Sequence, residues 1–107
     1  SQAIDTGTFV YASGQIPINP ANGEVVEGIK AQTEQSIANV TAILNEAGLS
    51  LENVVKTTVF LADMNDFAAM NEVYGNAFKA PYPARSAVAV RELPKKVLVE
   101  IEVIAMR

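Results

Sequence analysis

Apolar residues recur every three or four positions in two stretches of the chain, and this spacing predicts two amphipathic helices. The first helix begins at Ile29 and is followed by Gly48, a glycine of the kind that often ends a helix. The second runs from about Phe67 to Phe78 and follows polar residues that can cap its first turn, namely Asp63, Asn65 and Asp66. Each helix should bury its apolar stripe, which in the second helix includes Tyr74.

Five further stretches have the composition or the alternation of β-strands. Two short runs on either side of residues 5–7 predict a hairpin, and a turn-rich loop follows at 19–23. The β-branched run 54–61 predicts a strand, and two more are predicted at 85–91 and 97–106. The order ββαβαββ indicates an α+β fold, with one mixed sheet and both helices on one face. The two strands that flank each helix should pair with each other in parallel.

Arg85 is a charged residue in the otherwise small and apolar run YPARSAVAV, and a buried charge needs a partner. Alternation in the last strand places Val97, Val99, Ile101, Val103 and Ala105 on the core face. Glu100 and Glu102 then lie on the other face. If the last two strands pair antiparallel, Val88 and Val90 face the core and Arg85 shares the outer face with both glutamates. Spacing alone leaves either glutamate open as the partner.

The predicted outer face is too apolar to be a plain solvent face, since Leu98, Ile104, Ala87 and Ala89 interrupt its charges. Such a face indicates that another copy of the chain covers it, which predicts a homo-oligomer with Arg85 near a subunit junction. Two interpretations of Arg85 stay open. It forms a structural ion pair, or it captures a substrate carboxylate in the space above the two alanines.

Composition narrows the function classes. The chain has 107 residues, half of them hydrophobic and 19% charged, which predicts one compact domain over 1–107. No apolar run approaches the roughly 20 residues that span a bilayer, and no leader is visible, so we expect a cytoplasmic protein without membrane association. The absence of Cys and His excludes thiol and imidazole catalysis and the usual zinc ligands. A net charge of −4 opposes nucleic-acid binding.

Several segments, in order, resemble the reactive intermediate deaminase family, also called the Rid or YjgF family. They are SQAI, FVYASGQIP, NPANGE, VVKTTVFLADMNDFAAMNEVYGNAF, YPARSAVAVRELPK and VEIEVIA. The resemblance covers nearly the whole chain. It implies a chorismate-mutase-like α+β fold and a homotrimer with ligand sites in clefts between subunits. It also implies hydrolysis of 2-imino acids and their enamines to 2-keto acids and ammonia, without a metal or organic cofactor.

The resemblance also implies roles for individual residues. Arg85, the arginine of PARS, is expected to bind the substrate carboxylate, and Glu100, the first glutamate of VEIE, to position or activate water. We expect burial to raise the pKa of Glu100 and Arg85 to oppose that shift. The other residues expected to line the cleft are Ser13, Gly14, Asn71, Tyr82 and Ala87.

The sequence departs from the family pattern at two places. Members usually carry Gly-Pro-Tyr before SQAI, and the present sequence begins at Ser1 without that tyrosine. Active members often have Cys where this chain has Ala87, but the backbone N–H there can still bind a carboxylate, so we expect a modest effect at most. The main alternative to a deaminase is a trimer that binds a small keto acid or amino acid without turning it over. A ribonuclease ranks third.

Overall fold

A five-stranded mixed sheet carries two α-helices on one face, in a computed structural model that describes residues 1–107. The predicted order ββαβαββ and the α+β fold are confirmed. Short 3₁₀ turns precede β3, α2 and β5. The elements are β1 (Ala3–Asp5), β2 (Phe9–Gln15), α1 (Ile29–Glu46), β3 (Val54–Leu61), α2 (Phe67–Ala77), β4 (Ala84–Ala89) and β5 (Val99–Met106).

The strands lie in the order β1-β2-β5-β3-β4, and only β3 and β4 pair in parallel. These two strands flank α2, as the crossover rule predicts. The predicted parallel pairing across α1 is wrong: the strands that flank α1 point the same way, but β5 lies between them and pairs antiparallel with both. Both crossovers therefore leave their helices on the same face of the sheet.

Local signals set the ends of both helices. Gly48 has φ of 78°, a left-handed conformation that favours glycine, and α1 ends just before it. The Asp63 carboxylate accepts a hydrogen bond from the backbone N–H of Asn65 at 2.8 Å. Asp63 thus caps the 3₁₀ turn Met64–Asp66, and this turn leads directly into α2.

The core lies between the sheet and the two helices. The predicted core side of the last strand is confirmed. The five alternate residues predicted to face the core are all buried, namely Val97 just before β5 and Val99, Ile101, Val103 and Ala105 within it. Leu44 of α1 and Met70 of α2 are fully buried against this side. No helix in the structure is long and apolar enough to cross a membrane, and a cytoplasmic location stays a prediction.

The predicted pairing of the last two strands is wrong. Strand β4 pairs with β3, and the Cα of Arg85 lies opposite that of Thr57, a fully buried residue of the helix-covered face. Arg85 and Ala87 therefore face α2, whereas Val88, predicted for the core, lies on the outer face and is 44% exposed. Alternation divides a strand into two sides, but it does not say which neighbour the strand takes. Here the crossover through α2 places β4 beside β3.

The outer face of the sheet carries no helix and is rich in apolar side chains. Ladder partners on this face include Tyr11 with Ile104 and Phe60 with Val88. Ile104 lies on the outer face, as predicted. Ala87 and Ala89 were also predicted for this face, but they lie on the face that the helices cover. Tyr11 and Met106 are each nearly half exposed. The single chain leaves this surface uncovered.

Candidate active site

The Arg85 guanidinium lies at the edge of the sheet, over the side of α2. Its Nη1 donates a hydrogen bond to Oδ1 of Asn71 at 2.6 Å. Its Cζ lies 4.7 Å from the ring centroid of Tyr74 and 5.4 Å from that of Phe67. Both distances are within the range of a cation–π contact. Helix α2 thus supplies every side chain that holds the guanidinium.

No carboxylate of the same chain neutralises Arg85. The two ion pairs of the structure are Lys30 with Glu72 and Arg107 with Asp5. The prediction that Arg85 faces Glu100 or Glu102 is therefore wrong within one chain. The guanidinium has five N–H donors, and the amide oxygen of Asn71 accepts from one nitrogen only, while the two rings contact its charge. The other N–H groups remain able to bind an anion.

A cavity of about 470 Å³ opens beside the guanidinium. Its size is within the usual range for small-molecule sites. Tyr82 is 62% exposed and forms part of its wall. Ala87 is partly buried against the core and is not among the lining residues. The cavity is lined by Asn71, Tyr74, Gly75, Tyr82, Pro83 and Arg85.

Glu100 lies on the opposite face of the sheet, opposite Phe60 of β3. Its carboxylate rests against the backbone of Gly14, so that a Cβ built on this glycine would be 2.1 Å from Oε2. Gly14 and Ser13 occupy the irregularity in β2 between Ala12 and Gln15. Gly14 is therefore needed for the close approach of a side chain and not for a left-handed backbone.

Burial raises the pKa of Glu100 above its ordinary value of 4.5, and the neighbouring charge of Glu102 raises it further. Burial thus acts in the expected direction, whereas the sequence left open whether burial or Arg85 would decide the pKa. The expected opposition by Arg85 is absent, because β3 and the thickness of the sheet separate the two side chains. A carboxyl group with a raised pKa is better suited to accept and return a proton near neutral pH.

The sequence-predicted residues thus form two separate groups. Arg85, Asn71 and Tyr82 meet at the edge of β4 beside α2. Gly14 and Glu100 meet on the outer face where β2 adjoins β5, and Ser13 is next to Gly14 in the chain and donates its Oγ–H to the backbone oxygen of Ser1 at 2.7 Å. A single chain does not present both groups to one ligand. No cluster of three or more acidic side chains converges as metal ligands would.

Sequence reasoning missed the contact between Tyr74 and Arg85, because Tyr74 fits the apolar stripe of α2 and was assigned to the core alone. It is in the core, with 4% of its surface exposed. A signal was nonetheless present. Thr57 interrupts the buried side of β3 with a hydroxyl, and a buried hydroxyl indicates a polar partner nearby.

Known proteins share both the sequence and the fold. The sequence profile of the family described as Endoribonuclease L-PSP matches residues 1–107. A RutC family protein of Pyrococcus abyssi is 57% identical, over all of this chain and 85% of that protein. The 2-iminobutanoate/2-iminopropanoate deaminase of Escherichia coli K12 is 50% identical, over 99% of this chain and 85% of the enzyme.

Two solved structures superimpose closely. RidA from an Antarctic Psychrobacter is 50% identical with a TM-score of 0.98, over all of this chain and 87% of its own. TdcF of E. coli with bound serine is 49% identical with a TM-score of 0.96, over 99% of this chain and 86% of its own. With a family profile that matches the whole chain and relatives at half identity or more, the chain belongs to the Rid/YjgF family, described also as Endoribonuclease L-PSP.

Proposed function

We propose that this protein hydrolyses 2-iminobutanoate and 2-iminopropanoate, with their enamine forms, to 2-keto acids and ammonia. The observation that carries the proposal is the guanidinium of Arg85, which lies beside an open cavity without a carboxylate partner. Relatives at 50% identity that are named 2-iminobutanoate/2-iminopropanoate deaminase support the reaction class.

Arg85 would bind the substrate carboxylate through two parallel N–H···O bonds. Asn71 already holds one side of the guanidinium, and Cζ lies over the ring of Tyr74, so the group is oriented before substrate arrives. Orientation matters here, because an imine conjugated to a carboxylate is already reactive toward water. Proximity then supplies much of the rate gain. Tyr82 would close one side of the site. Ala87 does not line the cavity of the single chain, so its backbone N–H would add a donor only in a cleft that an assembly completes.

Glu100 would handle the water. Its carboxylate takes one proton of the water as the water oxygen attacks C2, the C=N π electrons move to the nitrogen, and the same proton is then delivered to that nitrogen, so a neutral amino alcohol forms. The carboxylate next takes the hydroxyl proton and passes it to the amino nitrogen as the C=O bond forms and the C–N bond breaks, which releases ammonia and the 2-keto acid. A raised pKa brings Glu100 closer to the working pH for both transfers. Ser13 and Gly14 would form the wall that places this carboxylate.

The complete site would combine two copies of the chain. Arg85 faces α2 and Glu100 faces outward, so one cleft can hold both only if different copies supply them. The apolar outer face supports an assembly in which copies cover one another. A closed homotrimer, with a cleft at each junction, is the arrangement that we propose.

The test is to generate 2-iminobutanoate in situ with a threonine dehydratase and to follow keto-acid formation against a nucleophile that traps the imine. Arg85→Ala should reduce the rate to the uncatalysed level. Arg91→Ala is the matched control, because Arg91 is exposed and does not line the cavity. If wild type does no better than Arg85→Ala, the deaminase proposal is wrong.

A second candidate is a binding protein for small carboxylates. One observation favours a binding protein: Arg85, Asn71 and the cavity beside them are present within one chain, and binding of a carboxylate there needs no glutamate. Binding of 2-oxobutanoate without turnover of the imine would select this alternative. An endoribonuclease, which the family description names, has weaker support because the chain is acidic and has no His.

A further inference from the structure

One hydrogen bond joins α2 to the sheet directly beneath Arg85. The hydroxyl groups of Tyr74 and Thr57 lie 2.7 Å apart, and either can be the donor. Thr57 is fully buried and Tyr74 is almost so. Phe and Val would fill the same space without bringing two hydroxyl groups into an apolar core. Packing alone therefore does not explain why both residues are polar.

The hydrogen bond holds the hydroxyl end of the Tyr74 side chain, which is the end farthest from the backbone of α2. The ring of Phe78 supports it from the side, with centroids 4.5 Å apart and planes inclined by 32°. The ring cannot swing away from Arg85 without breaking its bond to Thr57. Because Thr57 and Arg85 are register partners on neighbouring strands, the sheet anchors both ends of this contact.

We infer that Tyr74, tied to Thr57, is a positioning residue for the guanidinium of Arg85. The inference rests on the proposed function in taking Arg85 as the group that binds the substrate carboxylate. The ring supports the guanidinium with its centroid 4.7 Å from Cζ, and Asn71 fixes the Nη1 end by accepting its hydrogen bond. The remaining N–H groups stay available to the cavity. A guanidinium held in this way loses little freedom when an anion binds.

Conservative variants separate positioning from packing. Tyr74→Phe keeps the ring and removes the hydroxyl, and Thr57→Val removes the partner with nearly the same shape. Each should raise KM for 2-iminobutanoate and weaken binding of the probe 2-oxobutanoate by about threefold to tenfold, with kcat little changed. Tyr74→Leu removes the ring and should weaken binding by about tenfold or more. The double variant Tyr74→Phe/Thr57→Val should be no worse than either single variant.

The control is Leu44→Val, a buried change on α1 away from Arg85, which should lower stability without changing KM. A readout independent of activity is the NMR signal of Arg85 Nε–H. The rings of Tyr74 and Phe67 should both shift this signal in wild type, and Tyr74→Leu should reduce the shift by removing the nearer ring.

The inference is overturned if the Tyr74 and Thr57 variants lower only the unfolding temperature, as Leu44→Val does, and leave the KM and probe affinity unchanged. A Tyr74→Leu protein whose Nε–H shift is the same as that of wild type overturns it as well, and if that variant fails to fold, Tyr74→Phe and Thr57→Val decide. If wild type binds 2-oxobutanoate and the variants weaken binding while no imine is hydrolysed, the positioning role stands and the proposed deaminase function falls.

Discussion

The contact between Gly14 and Glu100 makes Gly14→Ala an informative substitution. A Cβ at this position would lie 2.1 Å from Oε2 of Glu100, 2.8 Å from its Cδ and 3.1 Å from its Cγ. The first two distances are too short for the carboxylate to stay in place. The added methyl group must therefore displace the carboxylate, which is the flexible end of its side chain.

The effect on stability should be small. Moving Glu100 to another rotamer costs about 0.5–1.5 kcal/mol at most. Replacing glycine where the backbone is not left-handed restores about 0.4–1 kcal/mol by restricting the unfolded chain. The two terms nearly cancel, so the free energy of unfolding should change by less than about 1 kcal/mol. The effect on catalysis should be larger, because a shift of about 1 Å in a reacting group can reduce the rate about 100-fold.

The assay combines chemical denaturation with imine hydrolysis. Gly14→Ala should unfold like wild type and lose about 10- to 100-fold in kcat/KM. The control is to repeat the substitution in a Glu100→Ala background, where the methyl group meets no carboxylate and should raise the free energy of unfolding by about 0.4–1 kcal/mol. The reasoning is refuted if Gly14→Ala retains wild-type kcat/KM, or if it destabilises the Glu100→Ala protein.

Two further predictions concern stability. The Oγ of Ser36 is buried on α1 without a hydrogen-bond partner. Ser36→Ala should therefore raise the free energy of unfolding, measured by urea titration, by about 1 kcal/mol. A lower free energy of unfolding in this variant would show that the hydroxyl has a partner. The raised pKa of Glu100 means that its ionisation favours the unfolded chain, so stability from this group is lost as pH rises through the folded pKa. In the dissociated chain, where no Arg85 of another copy faces Glu100, Glu100→Gln should therefore unfold at a higher temperature than wild type at about pH 7, with the difference vanishing below about pH 4. If the two proteins differ in unfolding temperature by the same amount at every pH in this range, the ionisation of Glu100 is not the cause of the difference.

Periodicity alone predicted most of the elements. The strand at 54–61 has the predicted bounds, and α1 begins at Ile29 and ends just before Gly48, because apolar spacing and a left-handed glycine are local signals. The buried side of β5 was also predictable, since its alternation is strict from Val97 onward.

The neighbour of β4 could not be read from alternation. Strands 85–91 and 97–106 are consecutive and both apolar, so a hairpin was a reasonable interpretation, whereas in the structure β5 lies between β2 and β3. This choice of neighbour decides the face on which Arg85 lies. Consequently the role of Asn71 could be inferred from family resemblance, but the contact with Tyr74 could not, because it depends on the pairing of β4 with Thr57 of β3.

The central claim is that Arg85 of one copy and Glu100 of another form one site. It is tested most directly by mixing two inactive variants, Arg85→Ala and Glu100→Gln, after reversible dissociation and reassembly. If each cleft takes its arginine and its glutamate from different copies, random mixing restores both residues in about a quarter of the clefts, and about a quarter of wild-type imine hydrolysis returns. If the mixed assemblies form and remain as inactive as the two variants alone, the account of a shared site is contradicted.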